Sequence, residues 1–169
     1  MQLLERQQLD QAIAELALAT KLDPRFAAAY NALGTALAGK GEIKAAAESF
    51  RKAVQINPRL YEAQLGLAAL LQQAGDLEGA IAASRQAIAL KPGEIDARLL
   101  QGAAYQQKGN LDSAIVQFRE ATQLKPNVAE AHSYLGYALG VKGLLQDSIS
   151  EFETAVRLKP DLAEAQYYL

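Results

Sequence analysis

One histidine occurs in the 169 residues, His132, and it is the first place to look for a general base. Catalysis of the acid–base or nucleophilic kind would need a nucleophile and an orienting carboxylate beside it. Ser133 and Glu130 are the near candidates. On a helix Ser133 points about 100° away from His132, and Glu130, two residues off, also faces elsewhere. His132 therefore reads as a bulky residue packed between helices. A lone histidine cannot build a two-histidine metal site. The absence of cysteine removes thiolate nucleophiles, disulfides and Cys-ligated metals. Gly39-Lys40-Gly41 could suggest a phosphate loop, but it lacks the Gly-x-x-x-x-Gly-Lys-Ser/Thr spacing and follows no strand. Gly136 and Gly140 form a small-xxx-small pair, which in a polar context reads as close packing of helices. No catalytic residue, metal or cofactor is expected, and the chain reads as not an enzyme.

The charge balance points the same way. Seventeen basic residues stand against nineteen acidic ones. Nucleic-acid surfaces and anionic membranes call for a basic excess, so neither partner is expected. No apolar run approaches the about 18 residues of a membrane span. The opening segment, 1–10, is polar and does not resemble a secretion signal. Absence of a signal and of a span favours the cytoplasm. Alanine, leucine and glutamine are abundant and β-branched residues few, a bias toward helix.

What must position these residues is a repeat. All five prolines, Pro24, Pro58, Pro92, Pro126 and Pro160, lie 34 residues apart. Ala19, Ala53, Ala87, Ala121 and Ala155 stand five before them, and Ala29, Ala63, Ala97, Ala131 and Ala165 five after. Gly41, Gly75, Gly109 and Gly143 keep the same period, as do Ala12, Ala46, Ala80 and Ala114. Phe50, Phe118 and Phe152 share one place, filled by Leu16 and Ser84 in the other units.

Proline lacks an N–H and pushes the preceding residue out of helical geometry, so one helix ends near each proline and another begins after it. Glycine permits a second, left-handed turn midway. Glu42, Asp76 and Asn110 follow as acceptors suited to capping the next helix, while Leu144 takes that place in the last full unit and should cap more weakly. The spacing predicts helices near 26–40, 43–57, 60–74, 77–91, 94–108, 111–125, 128–142 and 145–159. Part of a first helix and a second helix near 9–22 precede them, and a further helix starts at about 162. Alanine lets two helix backbones approach, near the short end of the usual 8–10 Å. The Phe50-type residue fills the gap between neighbouring hairpins. One hairpin cannot bury these faces alone, so hairpins must stack.

The pattern resembles the tetratricopeptide repeat across the whole chain. One unit reads Tyr30, Leu33, Gly34, Leu37, Ala46, Phe50, Ala53, Pro58, and another Arg98, Gln101, Gly102, Tyr105, Ala114, Phe118, Ala121, Pro126. A third reads His132, Leu135, Gly136, Leu139, Ser148, Phe152, Ala155, Pro160. The least regular is Gln64, Leu67, Ala68, Leu71, Ala80, Ser84, Ala87, Pro92, and no tryptophan occurs. The resemblance implies an all-α fold, a right-handed α-α superhelix of 34-residue helix-turn-helix repeats. It divides a single array into a partial repeat at 1–26, full repeats at 27–60, 61–94, 95–128 and 129–162, and the start of another at 163–169.

The resemblance further implies a protein-interaction scaffold whose first helices line a concave groove for a peptide or protein segment. By the family's geometry the groove residues are Asn31, Thr35, Leu65, Ala69, Gln72, Leu99, Ala103, Gln106, Ser133 and Tyr137. That surface is mildly polar and suits a partly apolar segment, with Gln72 and Gln106 bonding at its edge. The Lys/Asn/Arg set by which some members grip a terminal carboxylate is missing. Glu62, Asp96, Glu130 and Glu164 recur where it would need lysine. They read foremost as acids favoured by the helix dipole. Two other functions stay open: the substrate-recruiting arm of a larger enzyme, as in O-linked N-acetylglucosamine transferases, and a self-assembly module. The last residues, Gln166-Tyr167-Tyr168-Leu169, are apolar enough to suggest a piece of a longer array, or self-association through this open end.

Overall fold

A computed structural model describes residues 2–169, with side chains from Gln7 onward. Each proline sits second in a β-turn. The amide two residues beyond it donates to the carbonyl one residue before it: Phe26 to Asp23 at 3.1 Å, Leu60 to Asn57 at 3.2 Å, Glu94 to Lys91 at 3.1 Å, Val128 to Lys125 at 3.3 Å, Leu162 to Lys159 at 3.1 Å. Proline suits that place because its φ is preset and its missing N–H is not called on. The glycine turns are different. Gly41, Gly75, Gly109 and Gly143 have φ of 84°, 80°, 81° and 86°. The next amide reaches back across each, as Glu42 N–H does to Leu37 O at 2.9 Å, while Gly41 N–H bonds Ala38 O at 2.9 Å. This is the Schellman closure of a helix end.

Between the turns lie the helices: α1 (Gln2–Leu22), α2 (Ala27–Lys40), α3 (Ile43–Ile56), α4 (Tyr61–Gln73), α5 (Leu77–Leu90), α6 (Asp96–Gln107), α7 (Leu111–Leu124), α8 (Ala129–Val141), α9 (Leu145–Leu158) and α10 (Ala163–Tyr167). No strand occurs among the described residues. The all-α fold of 34-residue helix-turn-helix repeats is as expected, and each boundary after α1 falls within two residues of its expected place. The start is a correction. In place of a break before a helix at 9–22, α1 runs unbroken from Gln2 to Leu22. One period before Gly41 stands Gln7, so the residue that would turn the chain is missing and the helix continues. Capping is a second correction. Asn110 accepts from Ser113 N–H at 3.1 Å, but Glu42 makes no cap bond and pairs instead with Lys40 at 2.9 Å. The shorter asparagine side chain is the better cap. Leu144 caps nothing through its side chain, as expected.

The chain packs as two compact units, one ending at Asp76 and one running from Leu77 to Leu169. In the first, α1 packs on α2, α2 on α3 and α3 on α4, with α2 beside α4. In the second, α5 to α10 pack in the same succession, with α6 beside α8. Alanines close these contacts: Ala46, Ala53 and Ala63 in the first unit and Ala87, Ala97, Ala114, Ala121, Ala131, Ala155 and Ala165 in the second are fully buried. Phe50 fills a slot between glycines. A Cβ on Gly34 of α2 would lie 2.9 Å from its ring, and one on Gly66 of α4 would lie 2.6 Å away. Phe118 lies likewise against Gly102, and Phe152 against Gly136. Gly140 packs on Ser148, so the Gly136–Gly140 pair is a helix-packing feature.

The two irregular core residues of the second unit meet at one carbonyl. Ser84 donates to Ala80 O at 2.7 Å, with Ile81 O at 3.1 Å, and Gln101 Nε2 donates to Ile81 O at 3.2 Å. Both side chains are buried, and the shared carbonyl satisfies them where phenylalanine and leucine would have packed.

Candidate peptide-binding surface

The expected groove residues lie on first helices in both units. In the first unit α2 carries Asn31 and Thr35, and α4 carries Leu65, Ala69 and Gln72. Thr35 is exposed and the other four are half-buried. The Thr35 hydroxyl donates to Asn31 O at 3.1 Å, so it is anchored to its own helix. In the second unit α6 carries Leu99, Ala103 and Gln106, all half-buried, and α8 carries Ser133 and Tyr137. Leu99 and Ala103 pack against the cluster of Phe118, Leu135 and Leu139. Tyr137 packs on Phe152 and Ala165. Ser133 is only 2% exposed.

Asn31 Oδ1, Gln106 Oε1 and Ser133 Oγ are buried without a hydrogen-bond partner in the chain. All three belong to the expected groove set. A buried polar atom left unbonded costs about 1–3 kcal/mol, so such atoms stand out in a folded chain.

Ion pairs join helices along both units. Lys40 at the end of α2 bonds Asp10 of α1 at 2.8 Å, and both Asp10 and Glu42 hold its ammonium above the ordinary lysine value. Lys108 pairs with Glu78, and Lys142 with Asp112, in the same relation two and three repeats on. A second series runs from the proline turns: Lys125 to Glu94 at 2.6 Å and Lys159 to Glu130 at 2.9 Å. These hydrogen-bonded lysines hold the Glu94 and Glu130 carboxyls below their ordinary value. Of the recurring acids, Glu130 is thus compensated.

A set not foreseen from the sequence lies six residues beyond each proline. Gln64 donates to Pro58 O at 3.2 Å and Arg98 to Pro92 O at 2.7 Å. His132 Nε2 meets Pro126 O at 3.0 Å, and Gln166 bonds Pro160 O. Each ties the proline turn to the helix that follows. The signal was present as a hydrogen-bond donor at a constant offset in four repeats. Arg98 also reaches Glu120 at 3.1 Å, and His132 Nδ1 reaches Glu151 at 2.6 Å. Both ring nitrogens of His132 are therefore committed to structural partners, and Ser133 and Glu130 touch neither. Among the described residues no group of three or more His, Asp or Glu side chains could hold a metal ion. Among them too, no helix is long and apolar enough to cross a membrane.

Comparison with known proteins agrees with the repeat geometry. A family model described as TPR repeat matches residues 2–41 and 102–143, and one described as Tetratricopeptide repeat matches 37–104. No curated protein matches the chain. Among solved structures, MamA is 27% identical, with a TM-score of 0.87 over 95% of this chain and 94% of that one. YrrB, described as a TPR protein with an unusual peptide-binding site, is 25% identical, with a TM-score of 0.84 over 98% of this chain and 85% of that one. A thermophilic TPR protein of Thermus thermophilus, TTC0263, is 24% identical, with a TM-score of 0.73 over 99% of this chain and 92% of that one, and shares the fold. With proline turns, left-handed glycines and small-residue packing all in step with those matches, the chain belongs to the tetratricopeptide repeat family.

Proposed function

We propose that the protein is a non-catalytic interaction scaffold whose units each take an extended segment of another protein on their first-helix faces. The observation that carries this is the unbonded trio. Asn31 Oδ1 in the first unit and Gln106 Oε1 in the second are buried acceptors awaiting donors, and Ser133 Oγ of the second unit is likewise unbonded. The backbone N–H and C=O groups of an extended segment are the right complement, and half-buried apolar contacts for its side chains are offered by Leu65 in the first unit and by Leu99 and Tyr137 in the second. The likeness to YrrB, a protein described by its peptide-binding site, supports the same reading.

Selection from a random-peptide display library tests it. Peptides retained by the protein are rebound to Leu99→Glu, to Tyr137→Glu and to Arg119→Glu, the last an exposed residue of α7 away from that face. A buried carboxylate among apolar contacts costs more than about 1.4 kcal/mol, so the first two variants lose binding more than tenfold while Arg119→Glu binds as wild type. Equal binding by all three sinks the proposal.

A further inference from the structure

Charge is distributed unevenly between the two kinds of helix. The chain is 21% charged, yet the stretches 27–39, 63–73, 99–107 and 133–141 contain no Asp, Glu, Lys or Arg. They make up most of the first helices α2, α4, α6 and α8. The charges these helices do carry are accounted for. Glu62, Asp96 and Glu130 stand in first turns, where the helix dipole favours them. Lys40 pairs with Asp10, and Arg98 with Glu120. The second helices differ: α3 alone has four exposed charges, Lys44, Glu48, Arg51 and Lys52.

Burial does not explain the contrast. Thr35, Gln73 and Gln107 are exposed, and Asn31, Gln72 and Gln106 half-buried. Charged side chains reach water from such places on their flexible stems. Helix formation does not explain it either, since Gln, Glu and Lys have nearly equal propensity. What these positions do set is the surface offered to a ligand. It is rich in amides in each unit: Asn31, Gln72 and Gln73 in the first, Gln106 and Gln107 in the second. An amide carries both donor and acceptor, so it pairs with a second amide through both. The unbonded Asn31 Oδ1 and Gln106 Oε1 belong to this set. An ammonium or carboxylate brought there would be desolvated with no opposite charge to meet it.

We propose that each unit takes a peptide segment that is uncharged and bears asparagine or glutamine side chains, which pair with these amides. The inference rests on the scaffold reading above and names the chemistry of the segment. Recognition of this kind is insensitive to salt, unlike a clamp built from charges.

The probe is a random heptapeptide display library, offered to the 169-residue protein and to its Leu99→Glu, Tyr137→Glu and Gln106→Met variants. Peptides retained by wild type are enriched in Asn and Gln and depleted in Asp, Glu, Lys and Arg against the unselected library. Resynthesised with one amide exchanged for the matching acid, they bind at least about tenfold more weakly. Their affinity changes by less than about twofold between about 0.05 and about 0.5 M salt. Gln106→Met keeps side-chain length and helix propensity and removes the unbonded acceptor, so it melts no lower than wild type. Peptides lost on Leu99→Glu nonetheless bind Gln106→Met about three- to tenfold more weakly. Retained peptides as charged as the library, an amide-to-acid exchange without cost, affinity that falls in salt, or full affinity in Gln106→Met each overturns this inference and leaves the scaffold reading standing. Retention that neither Leu99→Glu nor Tyr137→Glu weakens overturns both.

Discussion

At Gly102 two effects of similar size oppose each other. Alanine is about 1 kcal/mol better than glycine inside a helix. Yet a Cβ there would stand 2.5 Å from the ring of Phe118, which is fully buried. Overpacking of that kind costs about 1–3 kcal/mol. Gly102→Ala therefore lowers stability by about 1 kcal/mol net, seen as a lower urea midpoint with unchanged slope. At Gly136 the added Cβ would meet the Phe152 ring at 3.2 Å, a strain that small movements relieve. Gly136→Ala accordingly stays within about 0.5 kcal/mol of wild type, the gain in propensity offsetting the contact. A midpoint for Gly102→Ala at or above wild type would mean the ring has room to move. The phenylalanine positions were legible from their period, because bulk at one phase must fill a gap somewhere. Gly66, the far wall of the Phe50 slot, was not, since it has no counterpart in the other repeats: Leu100 and Tyr134 stand at its phase.

Among the elements, the proline turn is the one whose anchoring was hidden. Proline itself announced one break in each repeat and glycine the other, and every helix after α1 followed from the two. The side chain that binds the turn carbonyl did not announce itself, because glutamine, arginine and histidine share only donor capacity, not shape. Arg98 is the strongest case, bonding Pro92 O at 2.7 Å and Glu120 at 3.1 Å with only 12% of its side chain exposed. Arg98→Ala strands the carbonyl and removes the link to α7, and a loss of about 1–3 kcal/mol follows. Arg98→Gln restores the turn bond that Gln64 makes in its own repeat at 3.2 Å, and recovers about half of that loss. Thermal melts of the two variants decide it: if alanine and glutamine are equally destabilising, the carbonyl bond contributes nothing. The N-terminal helix carries the opposite lesson. Its expected break rested on a period that Gln7 does not honour, and helix propensity prevailed where no turn residue opposed it.

Over the whole molecule, the period told which helical faces repeat, but not which polar atoms on them are left unbonded. That depends on neighbours brought together only by packing. The ion pairs are of the same kind, since partners 29 to 31 residues apart cannot be matched without knowing how the hairpins stack. Their pH dependence has a definite sign. Glu94 and Glu130 are held below the ordinary value of 4.5 by Lys125 and Lys159, so the folded chain binds their protons more weakly than the unfolded chain does. Their contribution is complete above about pH 4.5 and is lost as the pH falls through the folded values. Lys40, Lys125 and Lys159 are held above 10.5, so their contribution is complete below about that pH and lost as the pH rises through the folded values. The midpoint of thermal unfolding should therefore be flat between these limits and fall outside them. Because the pairs are exposed, the fall is shallow and smaller still in 1 M salt, where the Debye length is about 3 Å. The double variant Lys125→Met, Lys159→Met removes the two hydrogen-bonded cations that chiefly depress the two carboxylates, so its acid limb is flatter than that of wild type. An acid limb of unchanged steepness in that variant would mean that carboxylates elsewhere in the chain, not the pairs at the proline turns, set the response to acid.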